Sequence, residues 1–231
     1  MPEEEAFATL VHWMEDFRLR ALYKEGMEGL YVRMYQLNAL LQDHLPRLHR
    51  HLEECGVQCM TFASQWFMAL FATDFPLPVV LRIVDIMLVE GADVLLRFAL
   101  ALLGSNEDVL LELRFEGLLD YLKRRLYNET AFPTVDDFVA EALRYKVPER
   151  RLQKLELHAR AHFEDMTREK VELVQLRTER REAELRARTA EAKLADAQAE
   201  CARIGADLAR TKTDYASALE RIEDMVRAPA R

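Results

Sequence analysis

Residues 56–91 read GVQCMTFASQWFMALFATDFPLPVVLRIVDIMLVEG, and this stretch decides the fold. Apolar side chains recur every three to four residues over Met60–Phe71, which predicts a buried helix. Pro76 and Pro78 then end that helix. Pro78 suits the first turn of a new helix, because a proline at that position loses no hydrogen bond. The second helix is predicted over Val79–Glu90, before a glycine that tolerates a left-handed cap. The stretch therefore predicts two buried helices joined at a proline-marked corner.

The first helix is predicted to begin at Pro2, where three glutamates follow the proline and complement the positive end of the helix dipole. Its apolar face consists of Phe7, Leu10, Val11 and Met14. A second helical region runs from Gly26 to Cys55. We expect it to break just before Pro46, which cannot donate a backbone hydrogen bond.

Further helices follow the central stretch. Asp93–Leu103 is predicted to be helical and to be closed by Gly104. Ser105 is predicted to start the next helix, with Asp108 completing a capping pattern. The core candidates of that helix are Val109, Leu110, Leu113, Leu118, Leu119 and Leu122. A loop is expected over residues 128–134, and Thr134 is predicted to cap a short helix that ends near Tyr145.

Composition agrees with an all-α fold. Half of the residues are apolar, and the 231-residue chain holds only seven glycines and seven prolines. Three cysteines make no disulfide framework and suit a reducing compartment. The net charge of −8 lies almost entirely before residue 148, and such an acidic unit argues against nucleic acid as a partner. Charges interrupt the most apolar region, residues 79–103, so we predict no transmembrane segment.

From Pro148 onward the character of the sequence changes. Aromatic residues nearly vanish, and apolar residues recur in a heptad repeat with Leu152 at position a and Leu155 at position d. The pattern continues for roughly eleven heptads and predicts a coiled-coil helix. Arg180 interrupts the apolar seam, and Ala183 and its neighbouring seam alanines bury little area. We therefore divide the chain into a globular part, residues 1–147, and a coiled coil, residues 148–228.

Many short matches in the central stretch occur in the order of a known family. They include Ala63-Ser64-Gln65-Trp66-Phe67, Phe75-Pro76-Leu77-Pro78, Arg82-Ile83-Val84-Asp85 and Glu90-Gly91. With His44-Leu45-Pro46 and Leu100-Ala101-Leu102-Leu103, they resemble the later half of a TBC domain, the helical module of Rab GTPase-activating proteins. The likeness runs from Met1 to about Asn128 and departs from the family at Val84, where many members carry tryptophan. The resemblance implies that Met1 is an internal methionine of a longer protein.

TBC domains supply two groups to the Rab active site, an arginine from an IxxDxxR motif and a glutamine from a YxQ motif. The arginine neutralises charge on the transferring phosphoryl group, and the glutamine orients the attacking water. This sequence contains no YxQ, since Tyr35-Gln36 lacks the spacer. Its one IxxDxxR match, Ile204–Arg210, falls on the coiled-coil repeat and is interpreted as a chance match. We therefore assign no catalytic residue to this chain.

Other candidate sites favour structural roles. Cys55 and Cys59, with His49 and His51 nearby, make a zinc site conceivable, although ordinary helix-end cysteines are the preferred interpretation. His158 and His162 lie one helical turn apart, and a structural role is again preferred. No cofactor or metal site is assigned.

Asp85 falls in a strongly apolar run. It is interpreted as a buried hydrogen-bonding anchor, with a surface partnership to Arg82 as the alternative. We expect Trp66 and Phe67 to be core residues.

The sequence thus predicts an all-α partial TBC domain followed by a long coiled-coil helix. The resemblance implies a Rab-type small GTPase as partner, GTPase activation in vesicle trafficking, and a cytoplasmic location peripheral to endomembranes. Without the two finger motifs, the chain is expected to be inactive alone. The alternative is a non-catalytic coiled-coil scaffold or adaptor, and either protein could be a homodimer through the coiled coil. If part of the domain is missing, apolar surface should be exposed beside the first helix.

Overall fold

The structure is a computed structural model that describes residues 2–73, 75–127 and 132–227, with side chains described up to residue 223. The described residues form helices and no strand, as the all-α prediction requires. The chain divides into two units, Met1–Thr167 and Arg168–Arg231. We call the first the compact unit and the second the rod segment.

Eleven α-helices occur among the described residues. They are α1 (Glu3–Asp16), α2 (Glu28–His44), α3 (Pro46–Glu54), α4 (Cys59–Phe62), α5 (Ser64–Met68), α6 (Leu77–Glu90), α7 (Val94–Ser105), α8 (Glu107–Glu112), α9 (Phe115–Arg124), α10 (Val135–Arg144) and α11 (Glu149–Arg227). A short 3₁₀ turn, Leu19–Leu22, connects α1 to α2.

The central stretch folds differently from the prediction in its first half. Two short helices, α4 and α5, replace the single helix predicted over Met60–Phe71. Leu70 and Phe71 adopt positive φ angles of 48° and 65°, a conformation that ends a helix. The Phe71 N–H donates to the Trp66 carbonyl at 2.8 Å, which closes this turn. Trp66 and Phe67 are nevertheless buried, so the prediction of their core role is confirmed.

Several helix boundaries follow the sequence signals. α3 begins at Pro46, so the predicted break before that proline is confirmed. Pro78 lies in the first turn of α6, and Gly91 ends the helix with a φ of 87°. Thr134 and Asp137 form a reciprocal capping box at the start of α10, as expected. Residues 128–131 of the predicted loop lie outside the described residues.

The predicted closure of a helix at Gly104 is wrong. α7 continues through Ser105, and Asn106 ends it instead. The Asn106 amide donates to the carbonyls of Leu102 and Leu126 at 2.7 and 2.9 Å, which ties the end of α7 to a distant turn. Gly104 has another role, since a Cβ built there would lie 2.1 Å from the Tyr145 hydroxyl.

The helix predicted to follow Ser105 is also divided. An extended Leu113 separates α8 from α9. Of its core candidates, Leu110, Leu118 and Leu122 are buried. Val109 is exposed, which corrects its assignment to the core.

The centre of the compact unit is α7, in which nearly every residue is buried. It packs against α2, α6 and α10. Phe98 on α7 lies 5.1 Å from the Phe138 ring of α10, centroid to centroid. The core therefore surrounds one apolar helix, and the other helices expose their outer faces.

The first turns of α11 are buried in the compact unit, and Leu152 belongs to the same core. Leu155 and Ala159 are buried as well, and the Arg151 guanidinium donates to both carboxylate oxygens of Asp43, at 3.0 and 3.2 Å. The compact unit consequently extends to Thr167, twenty residues beyond the boundary predicted from the change in composition.

The rod segment is helical to Arg227, and every side chain described over residues 168–223 is exposed. Its pairing with another helix therefore stays a prediction. No helix among the described residues is both long and apolar enough to span a membrane.

Candidate functional site

The outer face of α6 carries an apolar surface. Val79, Ile83 and Met87 lie on the inner face of the helix and are buried. Leu77, Leu81 and Leu88 lie on the opposite face, with 68%, 54% and 46% of their surface exposed. Exposed leucines in one row on a folded unit are typical of a protein-binding surface. We call these three leucines and the neighbouring Arg82 and Asp85 the α6 surface.

Charged groups flank the α6 surface. The Arg82 guanidinium donates to a carboxylate oxygen of Asp136 on α10 at 3.0 Å. Asp85 is exposed, so its interpretation as a buried anchor is wrong. Val84, on the same side of the helix, is partly buried. The predicted alternative, an Arg82–Asp85 pair, is replaced by the pair that joins α6 to α10.

A second apolar surface lies on α1. None of the residues in this helix is buried, and Phe7, Leu10 and Val11 are exposed along one face. The exposed apolar side chains therefore lie on the first helix itself, whereas the sequence predicts an apolar surface beside it. Aliphatic and aromatic groups arranged in this way favour contact with another protein surface.

A polar cleft of about 380 Å³ lies between α2, the turn before α7 and the first turns of α11. In it, the Arg33 guanidinium donates to Asp93 at 2.6 Å and to the Gln36 side chain at 3.1 Å. The buried Gln36 amide donates to the Leu152 carbonyl at 3.1 Å. Arg160 likewise pairs with Glu28 and Glu156. These two arginines are paired with carboxylates, so the part of the cleft that they line is a structural network.

The candidate zinc ligands have separate partners. His51 Nε2 lies 2.9 Å from the Leu113 carbonyl and 3.7 Å from the Cys55 sulfur. The Cys59 thiol points to the Asn38 side chain, and burial raises the pKa of that thiol to about 12. His49 lies near Glu53. Within the described ranges, no three His, Cys, Asp or Glu side chains are close enough together to hold a metal.

The two histidines of α11 also differ in environment. Nδ1 of His162 lies 2.7 Å from the Tyr31 hydroxyl, and the two rings stack. Burial raises the pKa of Tyr31, with its neighbour Tyr35 adding to the effect, so the phenol stays protonated for this hydrogen bond. His158 is exposed. Of the two histidines, His162 therefore docks α11 onto α2 through its contact with Tyr31.

The IxxDxxR match lies on the rod segment. Ile204 and Leu208 are both more than half exposed, and Arg210 is exposed as well. A catalytic arginine must be held in place before the transition state forms, which requires packing around it. This segment provides no such packing to Arg210 among the residues described.

An all-helical unit with exposed apolar outer surfaces has the features of a protein-binding domain. Comparison with known families matches residues 1–134 to the RabGAP TBC domain. The chain belongs to the RabGAP TBC domain family.

Particular relatives agree with this assignment. Human ecotropic viral integration site 5 protein homolog is 38% identical over 182 residues, which cover 78% of this chain and 22% of that protein. Rab GTPase-activating protein eat-17 of Caenorhabditis elegans is 40% identical over 181 residues, or 78% of this chain and 20% of that protein. GTPase-activating protein GYP5 of Saccharomyces cerevisiae is 45% identical over 135 residues, which cover 58% of this chain and 15% of that protein. The chain thus spans about a fifth of the length of the relatives it matches.

The sequence predicts a wholly buried helix over Val79–Glu90, because nearly every position there is apolar, and it does not predict the α6 surface. The available signal was the recurrence of Leu77, Leu81 and Leu88 on the face opposite Ile83 and Met87.

Proposed function

We propose that this chain binds a Rab-type small GTPase and forms part of a protein that accelerates GTP hydrolysis by that GTPase. The observation that carries the proposal is the match of residues 1–134 to the RabGAP TBC domain. The name of the relative eat-17 includes the words Rab GTPase-activating protein, which agrees with the same activity. The proposal puts the chain in the cytoplasm, peripheral to endomembranes.

The α6 surface is the proposed contact for the GTPase. Its leucines offer apolar area to a partner, and the exposed Asp85 and the Arg82–Asp136 pair offer polar contacts at its rim. Such an arrangement, with apolar residues at the centre and charges at the edge, is typical of protein interfaces.

This contact can be tested by binding to a panel of purified Rab GTPases loaded with a non-hydrolysable GTP analogue. Leu81→Asp should raise the Kd of the best binder on the order of tenfold or more, because it places a charge in the apolar centre. Val109→Asp is the matched control, since Val109 is an exposed valine on α8, outside the α6 surface. Equal effects of the two variants would refute the assignment of the α6 surface.

By itself the chain is proposed to bind without accelerating hydrolysis. The sequence has no YxQ, and the only IxxDxxR lies on an exposed helix, so neither water-orienting glutamine nor arginine finger is available in the family's form. We expect the rate of GTP loss from a bound Rab to stay within about twofold of the intrinsic rate. A thousandfold acceleration, roughly the scale of an arginine finger, would refute this part of the proposal.

A scaffold or adaptor remains the second candidate, favoured by the exposed heptad seam of the rod segment. We propose that this seam forms a homodimer. Sedimentation equilibrium of the full chain distinguishes the states. A mass of one chain at tens of micromolar would refute self-association.

A further inference from the structure

The rod segment carries a row of exposed apolar side chains at heptad positions a and d. Its large members are Leu173, Leu176, Leu194, Ile204, Leu208, Tyr215 and Ile222. We propose that a second copy of this chain covers the row in antiparallel orientation, in the register that places Arg180 opposite Ala218 and Leu194 opposite Ile204. The inference rests on the homodimer proposed above and adds its direction and register.

A parallel pair would pack the seam poorly. In a parallel, in-register coiled coil each seam residue faces its own copy. Three successive layers would then oppose alanine to alanine, at Ala183, Ala187 and Ala190, and would bury little apolar area. The layer before them would oppose Arg180 to a second Arg180, which brings like charges together.

The antiparallel register fills the same layers more evenly. Ala183 faces Tyr215 of the second copy, and Ala190 faces Leu208. A large residue opposite a small one fills space that two facing alanines would leave empty, as close packing requires. Arg180 lies opposite a small alanine, so its charged end can reach solvent beside the seam.

Charges beside the seam favour the same register. Flanking positions e and g of the two helices meet across the interface and set the orientation of a coiled coil. In the proposed register they pair opposite charges: Glu179 with Arg221, Arg186 with Asp214, Lys193 with Asp207, and Glu184 with Lys212. The one like-charge contact is Glu200 with its own copy. Glu200 already accepts from Arg203 at 2.9 Å, which offsets that repulsion.

Other alignments are less complementary. The parallel pair opposes Glu179 to Glu184 twice in each dimer. It also forms three kinds of opposite-charge contact, Glu172 with Arg177, Arg186 with Glu191 and Asp207 with Lys212, against four kinds in the antiparallel register. Shifting the antiparallel pair by one heptad in one direction opposes Glu179 to Asp214. Shifting it by one heptad in the other direction opposes Arg186 of each copy to Arg221 of the other copy. Like charges across a seam are destabilising, so complementarity selects one alignment.

Spin-label distances in the full chain test the direction. Cys55→Ser and Cys201→Ala remove the accessible thiols. Cys59 can stay, because it is buried and the thiolate is the form that reacts with the label. Labels are then placed at Ser217→Cys or at Arg181→Cys, two exposed positions away from the seam.

In the proposed register, position 217 of one copy lies level with position 181 of the other. A mixture of the two labelled chains should therefore show a distance of about 20 Å, two helix diameters. The chain labelled only at position 217 should show about 55 Å, because about 36 residues at a rise of 1.5 Å each separate the two labels along the dimer. The reverse result, short for the single label and long for the mixture, would overturn the direction and leave the homodimer standing. Absence of any intermolecular distance, with a monomer mass, would overturn both.

Charge reversal tests the register. K193E should raise the dimer Kd on the order of tenfold, because each dimer then holds two contacts in which a new carboxylate at position 193 faces Asp207. Adding D207K should restore binding to within about threefold of the unmodified chain. R188E, the same charge change at an outer position of the helix, is the matched control. Failure of D207K to restore binding would overturn the register, because in the parallel pair position 193 faces Gln198 and Asp207 faces Lys212.

Discussion

Two parts of the same helix, α11, carry the same heptad pattern and have opposite environments. At its start, Leu152 and Leu155 are each only 4% exposed, and the Gln36 side chain of α2 donates to the Leu152 carbonyl there. Further along, Leu173 and Leu176 occupy equivalent seam positions and are about half exposed. An apolar heptad therefore specifies that a face will be covered, but not whether the cover comes from the same chain or from another.

The compact unit and the rod segment should differ most in how much stability a substitution removes, and the largest loss is expected at the centre of the compact unit. Phe98→Ala should lower the free energy of unfolding of this unit by about 3–5 kcal/mol, because Phe98 is fully buried against Phe138. Both tryptophans, Trp13 and Trp66, lie in the compact unit, so urea unfolding followed by tryptophan fluorescence reports on it selectively. Leu185→Ala, at an exposed rod position, should change the value by less than about 0.5 kcal/mol. Similar losses for the two variants would contradict the division into units.

A second substitution pair addresses the helix directly. Leu155→Ala should destabilise the compact unit by about 2–4 kcal/mol, since a buried leucine side chain is removed. Leu173→Ala, further along the same seam, should leave the tryptophan transition unchanged. If the rod segment gains helicity on dimerisation, Leu173→Ala should reduce only that gain. The gain is measured as the rise of far-ultraviolet circular dichroism with protein concentration. If Leu155→Ala had no effect on fluorescence, the start of α11 would not belong to the core.

The glycines of the compact unit and of the rod segment differ in how closely other atoms approach their backbone. Gly29→Ala should cost about 1–3 kcal/mol, because a Cβ there would lie 2.5 Å from the backbone of Ala21 and the 3₁₀ turn would have to move. Gly205→Ala meets nothing within 4 Å and should stabilise the rod helix by up to about 1 kcal/mol. Gly117→Ala is the control inside the compact unit, where the nearest atom lies at 3.5 Å. The melting temperatures of the three variants test this difference. Equal melting temperatures for Gly29→Ala and Gly117→Ala would contradict the close packing at Gly29.

Local signals in the sequence predicted much of the fold. Pro46, Pro78 and Gly91 act through the conformations that their own backbones allow, and the structure places helix ends beside all three. Gly104 misled the same reasoning, because its small size serves Tyr145, far along the chain, rather than a helix end. The left-handed turn at Leu70 and Phe71 gave no signal at all, since neither residue type favours positive φ.

The candidate site was harder to predict than the fold. Family resemblance identified the domain, whereas the position of the α6 surface depends on which face of an apolar helix the rest of the unit covers. No run of apolar residues alone contains that information. In the same way, the sequence favours a structural role for His162 over metal binding, but only tertiary packing brings Tyr31 to its ring nitrogen.

The capping box at the start of α10 provides a smaller test. Thr134→Ala removes the hydroxyl that accepts from the Asp137 N–H at 3.2 Å, and it should cost about 1 kcal/mol. Thr134→Ser keeps the hydroxyl and should cost less than half as much. Thr178→Ala is the counterpart in the rod segment, where the hydroxyl only donates to the Val174 carbonyl within one helix. Equal urea midpoints for Thr134→Ala and the unmodified chain would contradict the capping role.

The smallest expected change in stability is at Asp85, where it distinguishes a residue that supports the fold from a residue that contacts a partner. Asp85→Asn should change the free energy of unfolding by less than about 0.5 kcal/mol, because the carboxylate is exposed to water. A buried anchor would instead cost about 1–3 kcal/mol through unsatisfied hydrogen bonds. If Asp85 belongs to the rim of the proposed GTPase contact, the same variant should slow association with a Rab, and the effect should fade as salt screens the charge. Loss of stability without a change in association would restore the anchor interpretation and remove Asp85 from the α6 surface.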